Sequence, residues 1–141
     1  MKIKLVILGV LAVMSLSLLA CTAVASADSV EVSIDDFNTQ NNVTREITVS
    51  AGGSFKVSLE SNATTGFSWP EQAEIGNTAI VEQTDQEYLA PDSDLMGAPG
   101  KQVWTFKALK KGTTVIAMEY SRPWEGGEQA EWTFNLTVTV K

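Results

Sequence analysis

The chain has 141 residues, enough for one domain and not two, with 10 basic against 17 acidic side chains, one cysteine and no histidine. A net charge of −7 argues against nucleic acid as a partner and offers no polybasic attraction to anionic lipid. Beyond residue 27 there is neither Cys nor His, which excludes thiol nucleophiles, histidine bases, thiolate- or imidazole-bound zinc and any disulfide.

Met1-Lys2-Ile3-Lys4 is a short basic segment, and the apolar run from Leu5 to Ala20 follows it. The run is shorter than the about 20 residues a membrane span needs and reads as the signal peptide of an exported protein. Leu18-Leu19-Ala20-Cys21 resembles the bacterial lipobox, in which the cysteine becomes a lipidated N-terminus. That reading ends the signal at residue 20 and makes a membrane-anchored lipoprotein. Ala25-Ser26-Ala27 is an ordinary small-residue cleavage site, ending the signal at residue 27 and giving a secreted or periplasmic protein. Of the two, lipidation at Cys21 is preferred. Without Lys2 and Lys4, residues 28–141 hold 8 basic and 17 acidic side chains, a formal charge of −9 that favours solubility.

From Ser29 the chain reads as strands and turns. Residues 30–34 alternate apolar and polar as a half-buried strand, and residues 35–44 are an Asn-rich loop. Residues 47–49 form a second short strand, and Ala51-Gly52-Gly53-Ser54 has a hairpin's composition. Residues 55–59 alternate again. Phe67 and Trp69 start a strand, which Pro70 keeps short or at an edge. Residues 71–78 are irregular; residues 80–81 and 87–89 carry strand signals around a polar interruption. Residues 103–106 form a strand, Lys110-Lys111-Gly112 a turn, and residues 113–120 a central strand. The last strand, residues 132–140, alternates throughout. Seven or eight short strands without a convincing amphipathic helix predict an all-β, immunoglobulin-like sandwich, with no disulfide. Three glycosylation sequons begin at Asn42, Asn62 and Asn135; such matches often arise by chance in a Ser/Thr-rich β-protein and mean little if the exporter is prokaryotic, as the lipobox suggests.

Catalysis has little to work with. A Ser or Thr nucleophile would need a Lys or carboxylate base, and no G-x-S-x-G or S-x-x-K pattern occurs. No spacing singles out two carboxylates. Asp92-Ser93-Asp94 lacks the further acidic ligands of a calcium loop and reads as a turn, so no metal or cofactor is expected.

Three stretches suit binding better. Asn62-Ala63-Thr64-Thr65-Gly66-Phe67 joins two stiff threonines to a permissive glycine, rooted in Phe67 and Trp69. Leu95-Met96-Gly97-Ala98-Pro99-Gly100 is a Gly/Pro loop with two apolar side chains. Arg122-Pro123-Trp124 sets the two residue types most enriched at interface hot spots either side of a rigid proline. Each alone has a bland reading: an Asx turn closing a hairpin, common loop punctuation, and a broken turn whose Trp124 folds back on the core while Arg122 is solvated. In strand order all three loops fall between alternate strand pairs, which places them at one end of a sandwich.

Together these residues resemble the chagasin family of cysteine-peptidase inhibitors, whose loops carry N-P-T-T-G-[FY], G-x-x-G and R-P-[WF]. The resemblance spans residues 28–141 and implies an immunoglobulin-like fold with reversible, tight inhibition of papain-like cysteine peptidases. It implies a monomeric wedge with no enzymatic activity and no cofactor. Thr64 and Thr65 would meet the catalytic centre of the peptidase, with Gly66 letting the backbone pass close and Asn62 and Phe67 among the peptidase-binding residues of the same loop. Leu95, Met96, Gly97 and Gly100 would lie along the non-primed side of its cleft, and Arg122, Pro123 and Trp124 on the primed side. Ala63 stands where the family usually has proline, which loosens the loop's entry and predicts somewhat weaker binding, by about 0.4–1 kcal/mol. The alternative is an exported carbohydrate-binding or adhesion module using Trp124 as a stacking platform; a third reading is an envelope lipoprotein without a tight partner.

Overall fold

The computed structural model describes residues 29–141 except Ser93, so the signal, Cys21 and the centre of the Asp92-Ser93-Asp94 turn lie outside it. Two four-stranded sheets face each other across the core. Their strands are β1 (Ser29–Val32), β2 (Asn42–Val49), β3 (Ser54–Ser61), β4 (Glu74–Ile75), β5 (Val81–Leu89), β6 (Gly100–Ala108), β7 (Gly112–Tyr120) and β8 (Trp132–Val140). One sheet runs β1-β3-β6-β5 and the other β2-β8-β7-β4. β1 lies parallel to β3 and β2 parallel to β8, and every other neighbour is antiparallel. This is the immunoglobulin-like sandwich, with eight strands.

Period-2 alternation makes the core. On β8, Phe134, Leu136, Val138 and Val140 are buried; on neighbouring β7, Thr114, Ile116, Met118 and Tyr120 lie beside them on the same inner face. Phe55, Val57 and Leu59 of β3 close the opposite wall with Trp104 and Phe106 of β6. β7 sits between β8 and β4, the interior position its β-branched sequence predicts.

The structure corrects several local expectations: β2 already begins at Asn42, within the expected loop, and the stretch read as irregular holds β4. The alternation from residue 30 stops at Val32, and Ile34–Thr39 is a short helix, α1, inside what reads as strand end and loop. Ser33 caps it, with Ser33 and Asp36 bonding reciprocally as a capping box. The turn after Ala51 has Gly52 at φ +85° and closes through Gly53 N–H to the Ser50 carbonyl (2.9 Å), but it is not a hairpin. It carries the chain from β2 in one sheet to β3 in the other, because alternation shows that a strand has a buried face without showing which sheet owns it. Phe67-Ser68-Trp69 makes one isolated bridge, Ser68 with Ser121, and no strand. Val81–Leu89 is one strand, not two fragments, with a register shift between Gln83 and Asp85.

Two glutamines, buried Gln102 and half-buried Gln83, supply pairing that residues 69–73 lack. Gln102 on β6 accepts from the Trp69 N–H (2.9 Å) and donates to the Trp69 carbonyl (3.1 Å). Gln83 on β5 does the same for Ala73 N–H and the Glu71 carbonyl, both at 2.8 Å. Each amide replaces a missing strand neighbour, so the backbone of Trp69 and Ala73 is paired where the segment crosses between the sheets, while Glu71 and Gln72 are exposed to solvent.

Candidate functional site

Loops 62–69, 90–99 and 121–131 follow β3, β5 and β7, so alternate connections bring them to one end of the sandwich. β1 begins beside Lys56, toward the other end. Under the loops lies an aromatic floor. Phe67, Tyr120, Trp132 and Phe37 stack in succession at 5.4, 4.8 and 5.2 Å, and Trp69 packs on Phe37 (5.1 Å) and Tyr120 (5.0 Å). Such contacts hold the loop roots firmly.

The first loop is braced mostly by its own residues. The Asn62 side-chain oxygen accepts from the Thr64 N–H (3.1 Å) and hydroxyl (2.5 Å), an Asx turn. The Asn62 carbonyl accepts from the Thr65 N–H (3.2 Å) and hydroxyl (2.7 Å), closing a 3₁₀ turn over Ala63–Thr65. The Thr65 hydroxyl also accepts from Phe67 N–H (3.3 Å). From below, the Tyr120 hydroxyl accepts from the Asn62 N–H (2.9 Å). Thr64 and Thr65 stay exposed with their hydroxyls already engaged, so docking them freezes little that is still free. The Asx turn is real, but no hairpin is closed, since β3 and β4 belong to different sheets.

The third loop is braced independently. Arg122 N–H donates to the Glu128 carbonyl (2.8 Å) and the Arg122 guanidinium pairs with the Glu128 carboxylate (3.2 Å). Gln129 donates to the carbonyls of Arg122 (3.0 Å) and Gly127 (3.2 Å). Arg122 then reaches into the first loop: Nε donates to the Thr65 carbonyl (3.3 Å) and the guanidinium lies 4.5 Å over Phe67 and 5.9 Å from the Trp124 ring. Arg122 is therefore a half-buried tie between loops, held by cation–π attraction. Trp124, 54% exposed, folds onto Gly66 and not onto the core. Pro123 between them is exposed.

The second loop is tied more lightly, by the Asn62 amide donating to the Gly97 carbonyl at 3.5 Å. A turn from Leu95 to Ala98 (3.2 Å) puts Leu95 and Met96 outward, and Gly97 takes φ +82°. Gly100 is not at the tip. It opens β6, buried, where a Cβ would meet the Leu89 carbonyl at 2.7 Å. All three motifs thus share one surface, with Gly100 in its frame and half-buried Phe67 in its floor.

Sequence reasoning missed Tyr120, Gln102, Glu128 and Gln129, which position the loops from outside the motifs. Only Tyr120 had a visible signal, as an inward residue two positions before Arg122. Among the described residues no group of three or more acidic side chains is placed to hold a metal ion.

Residues 48–138, which include all three loops, match the chagasin family of peptidase inhibitors, I42. The chain belongs to the chagasin family. It is 34% identical to chagasin of Trypanosoma cruzi over 83 residues, 57% of this chain and 74% of that protein. It is 30% identical to amoebiasin-2 of Entamoeba histolytica over 86 residues, 61% of this chain and 69% of that protein. The crystal structure of the cysteine protease inhibitor EhICP2 from Entamoeba histolytica superposes with a TM-score of 0.60 at 25% identity. It covers 80% of this chain and 96% of that one. Like its chagasin-family relatives, the protein is an inhibitor and not an enzyme.

Proposed function

We propose that the protein is a reversible, tight-binding inhibitor of papain-like cysteine peptidases, acting as a monomer that fills the active-site cleft with the three-loop surface. The observation that carries this reading is the coupling of the loops. Arg122 bonds the Thr65 carbonyl, Trp124 covers Gly66, and Asn62 reaches Gly97. A wedge that is already assembled loses little entropy on docking. Thr64, Thr65 and Gly66 occupy its crest, facing the catalytic cysteine and histidine of the peptidase. Leu95, Met96 and Gly97 take one side and Arg122, Pro123 and Trp124 the other, with Asn62, Phe67 and Gly100 as their supports. Filling the cleft without presenting a peptide bond in attack geometry blocks the enzyme without cleavage. The carbohydrate reading suits the site less well, because the Trp124 ring is engaged by Gly66 and Arg122 and does not stand as an open platform.

The protein works outside the cytoplasm in this proposal, either released after residue 27 or tethered by lipid at Cys21. A tether suits the fold. Ser29 lies toward the end opposite the loops, so an N-terminal anchor leaves the wedge facing away from the membrane.

Titration of papain with the purified protein, read with a fluorogenic peptide substrate, tests the reading. Competitive, reversible inhibition is expected in the nanomolar range, which is about −12 kcal/mol of binding. Thr65→Ala and Trp124→Ala should each weaken it. No inhibition of papain or its relatives at micromolar protein would overturn the proposal.

A further inference from the structure

Beyond the leader the chain has two methionines, Met96 and Met118, and the fold treats them oppositely. Met118 faces inward on β7, 2% exposed and packed in the core. Met96 stands at the tip of the second loop at 102% exposure, beside Leu95 at 77%. The turn closed by Ala98 N–H on the Leu95 carbonyl, with Gly97 at positive φ, aims it outward. Residues 28–141 contain no cysteine, so no thiol in the domain competes for a two-electron oxidant. We propose that Met96 is a redox modification site, and that its sulfoxide is a weakened form of the inhibitor. The inference rests on the reading above, in which the second loop enters a peptidase cleft.

The oxidant class is a hydroperoxide, simplest as hydrogen peroxide. A lone pair on Met96 Sδ attacks one peroxide oxygen, the S–O bond forms as the O–O bond breaks, and the departing hydroxide takes the proton of the oxygen now on sulfur and leaves as water. Sulfur loses two electrons and the peroxide gains them. A flexible apolar side chain becomes a polar, chiral one. In the free inhibitor that oxygen is hydrated at no cost. Against an apolar cleft wall it must be stripped of water without a partner. The fold is indifferent, because Met96 packs against nothing that a fully exposed side chain could lose.

The target's chemistry gives the modification a direction. The catalytic thiol of a cysteine peptidase is oxidised by the same agents, and its sulfenic or disulfide forms are restored by ordinary thiols. A methionine sulfoxide persists until a dedicated reductase removes it. After a pulse of peroxide and a return to reducing conditions, the peptidase recovers while its inhibitor remains weakened.

The test treats the purified full chain with hydrogen peroxide, removes the peroxide, maps oxygen by peptide mass spectrometry and titrates papain with the product. Met96 should be oxidised ahead of Met118. The inhibition constant should rise about tenfold or more, as one unpaired polar group in an apolar contact requires. Treatment with the two methionine sulfoxide reductases should reverse it. In M96L the ratio of inhibition constants after and before peroxide should stay near one, whatever the starting value. Full oxidation of Met96 with unchanged inhibition, or an equal loss in M96L, overturns the proposal. If the untreated protein does not inhibit papain-like enzymes, the cleft reading falls and the switch falls with it. The mass map still reports whether the fold directs oxidation to Met96.

Discussion

The indole of Trp124 rests on Gly66: a Cβ built on that glycine would stand 2.5 Å from Cη2 and 3.1 Å from Cζ3. Gly66 is required twice, by this contact and by its φ of +79°. The two demands have different consequences, because the ring is the free end of a half-exposed side chain while the backbone is fixed by the turn before it.

Gly66→Ala should therefore separate stability from binding. Left-handed backbone costs an alanine about 1–2 kcal/mol, offset by about 0.4–1 kcal/mol from a stiffer unfolded chain. The net loss in a urea melt is expected to be about 1 kcal/mol, since Trp124 swings aside before the sandwich opens. Inhibition of papain should fall by more than that, as the wedge loses its Trp124 flank. In a Trp124→Ala background the same substitution should matter less for inhibition. Equal effects in both backgrounds would mean the two loops act independently.

Arg122 offers a second separation, between geometry and charge. Its ion pair with Glu128 is partly exposed, the two side chains 33% and 62% accessible, and such pairs contribute about 0–1 kcal/mol. The bond to the Thr65 carbonyl and the stack on Phe67 depend on a planar guanidinium, which lysine cannot copy. Arg122→Lys should weaken inhibition about tenfold and Glu128→Gln no more than about threefold, as a double-mutant cycle against Phe67→Leu, which removes the ring under the guanidinium, can check. If Glu128→Gln proves as damaging as Arg122→Lys, the ion pair and not the inter-loop tie holds the site.

What the sequence displays follows from how local each signal is. Trp132–Val140 reads correctly to the residue because its inward positions from Phe134 onward are apolar. Val81–Leu89 does not, because its inward positions include Gln83 and Gln86 and the register shift between them changes their parity. α1 spans 6 residues, too short for a helical period, and only the Ser33-x-x-Asp36 cap marks it. The three binding motifs are contiguous and therefore visible. The contacts that join them are not: Tyr120 and Arg122 reach the first loop across 58 and 57 residues.

Gln102 is the clearest case of a residue whose role is invisible without the fold. Gln102→Leu keeps the volume but removes both partners of the buried Trp69 backbone, the 2.9 Å and 3.1 Å bonds. Each unpaired group costs about 1–3 kcal/mol, so a loss of about 2–4 kcal/mol is expected in a urea melt. A loss below about 1 kcal/mol would mean that water or another side chain takes over both bonds.

Acid should act on the floor of the site through α1. The Asp36 carboxylate accepts from the Ser33 N–H (3.0 Å) and hydroxyl (2.9 Å), and Arg45 stands 4.0 Å away. These hold its pKa below the ordinary 3.8, the Ser33 backbone bond first, then the Ser33 hydroxyl, with Arg45 a smaller help. A depressed carboxylate contributes stability above its unfolded pKa and loses it as pH falls through the folded value. The contribution is thus complete at neutrality and disappears below about pH 4. What it supports is local: α1 carries Phe37, which packs on Trp69 and Trp132 beneath the loops. Urea midpoints measured from neutrality down to about pH 3 should fall less steeply in Asp36→Ala than in the parent, from a slightly lower start. Parallel curves would place the acid-sensitive group elsewhere, and α1 would then hold by the packing of Phe37 alone.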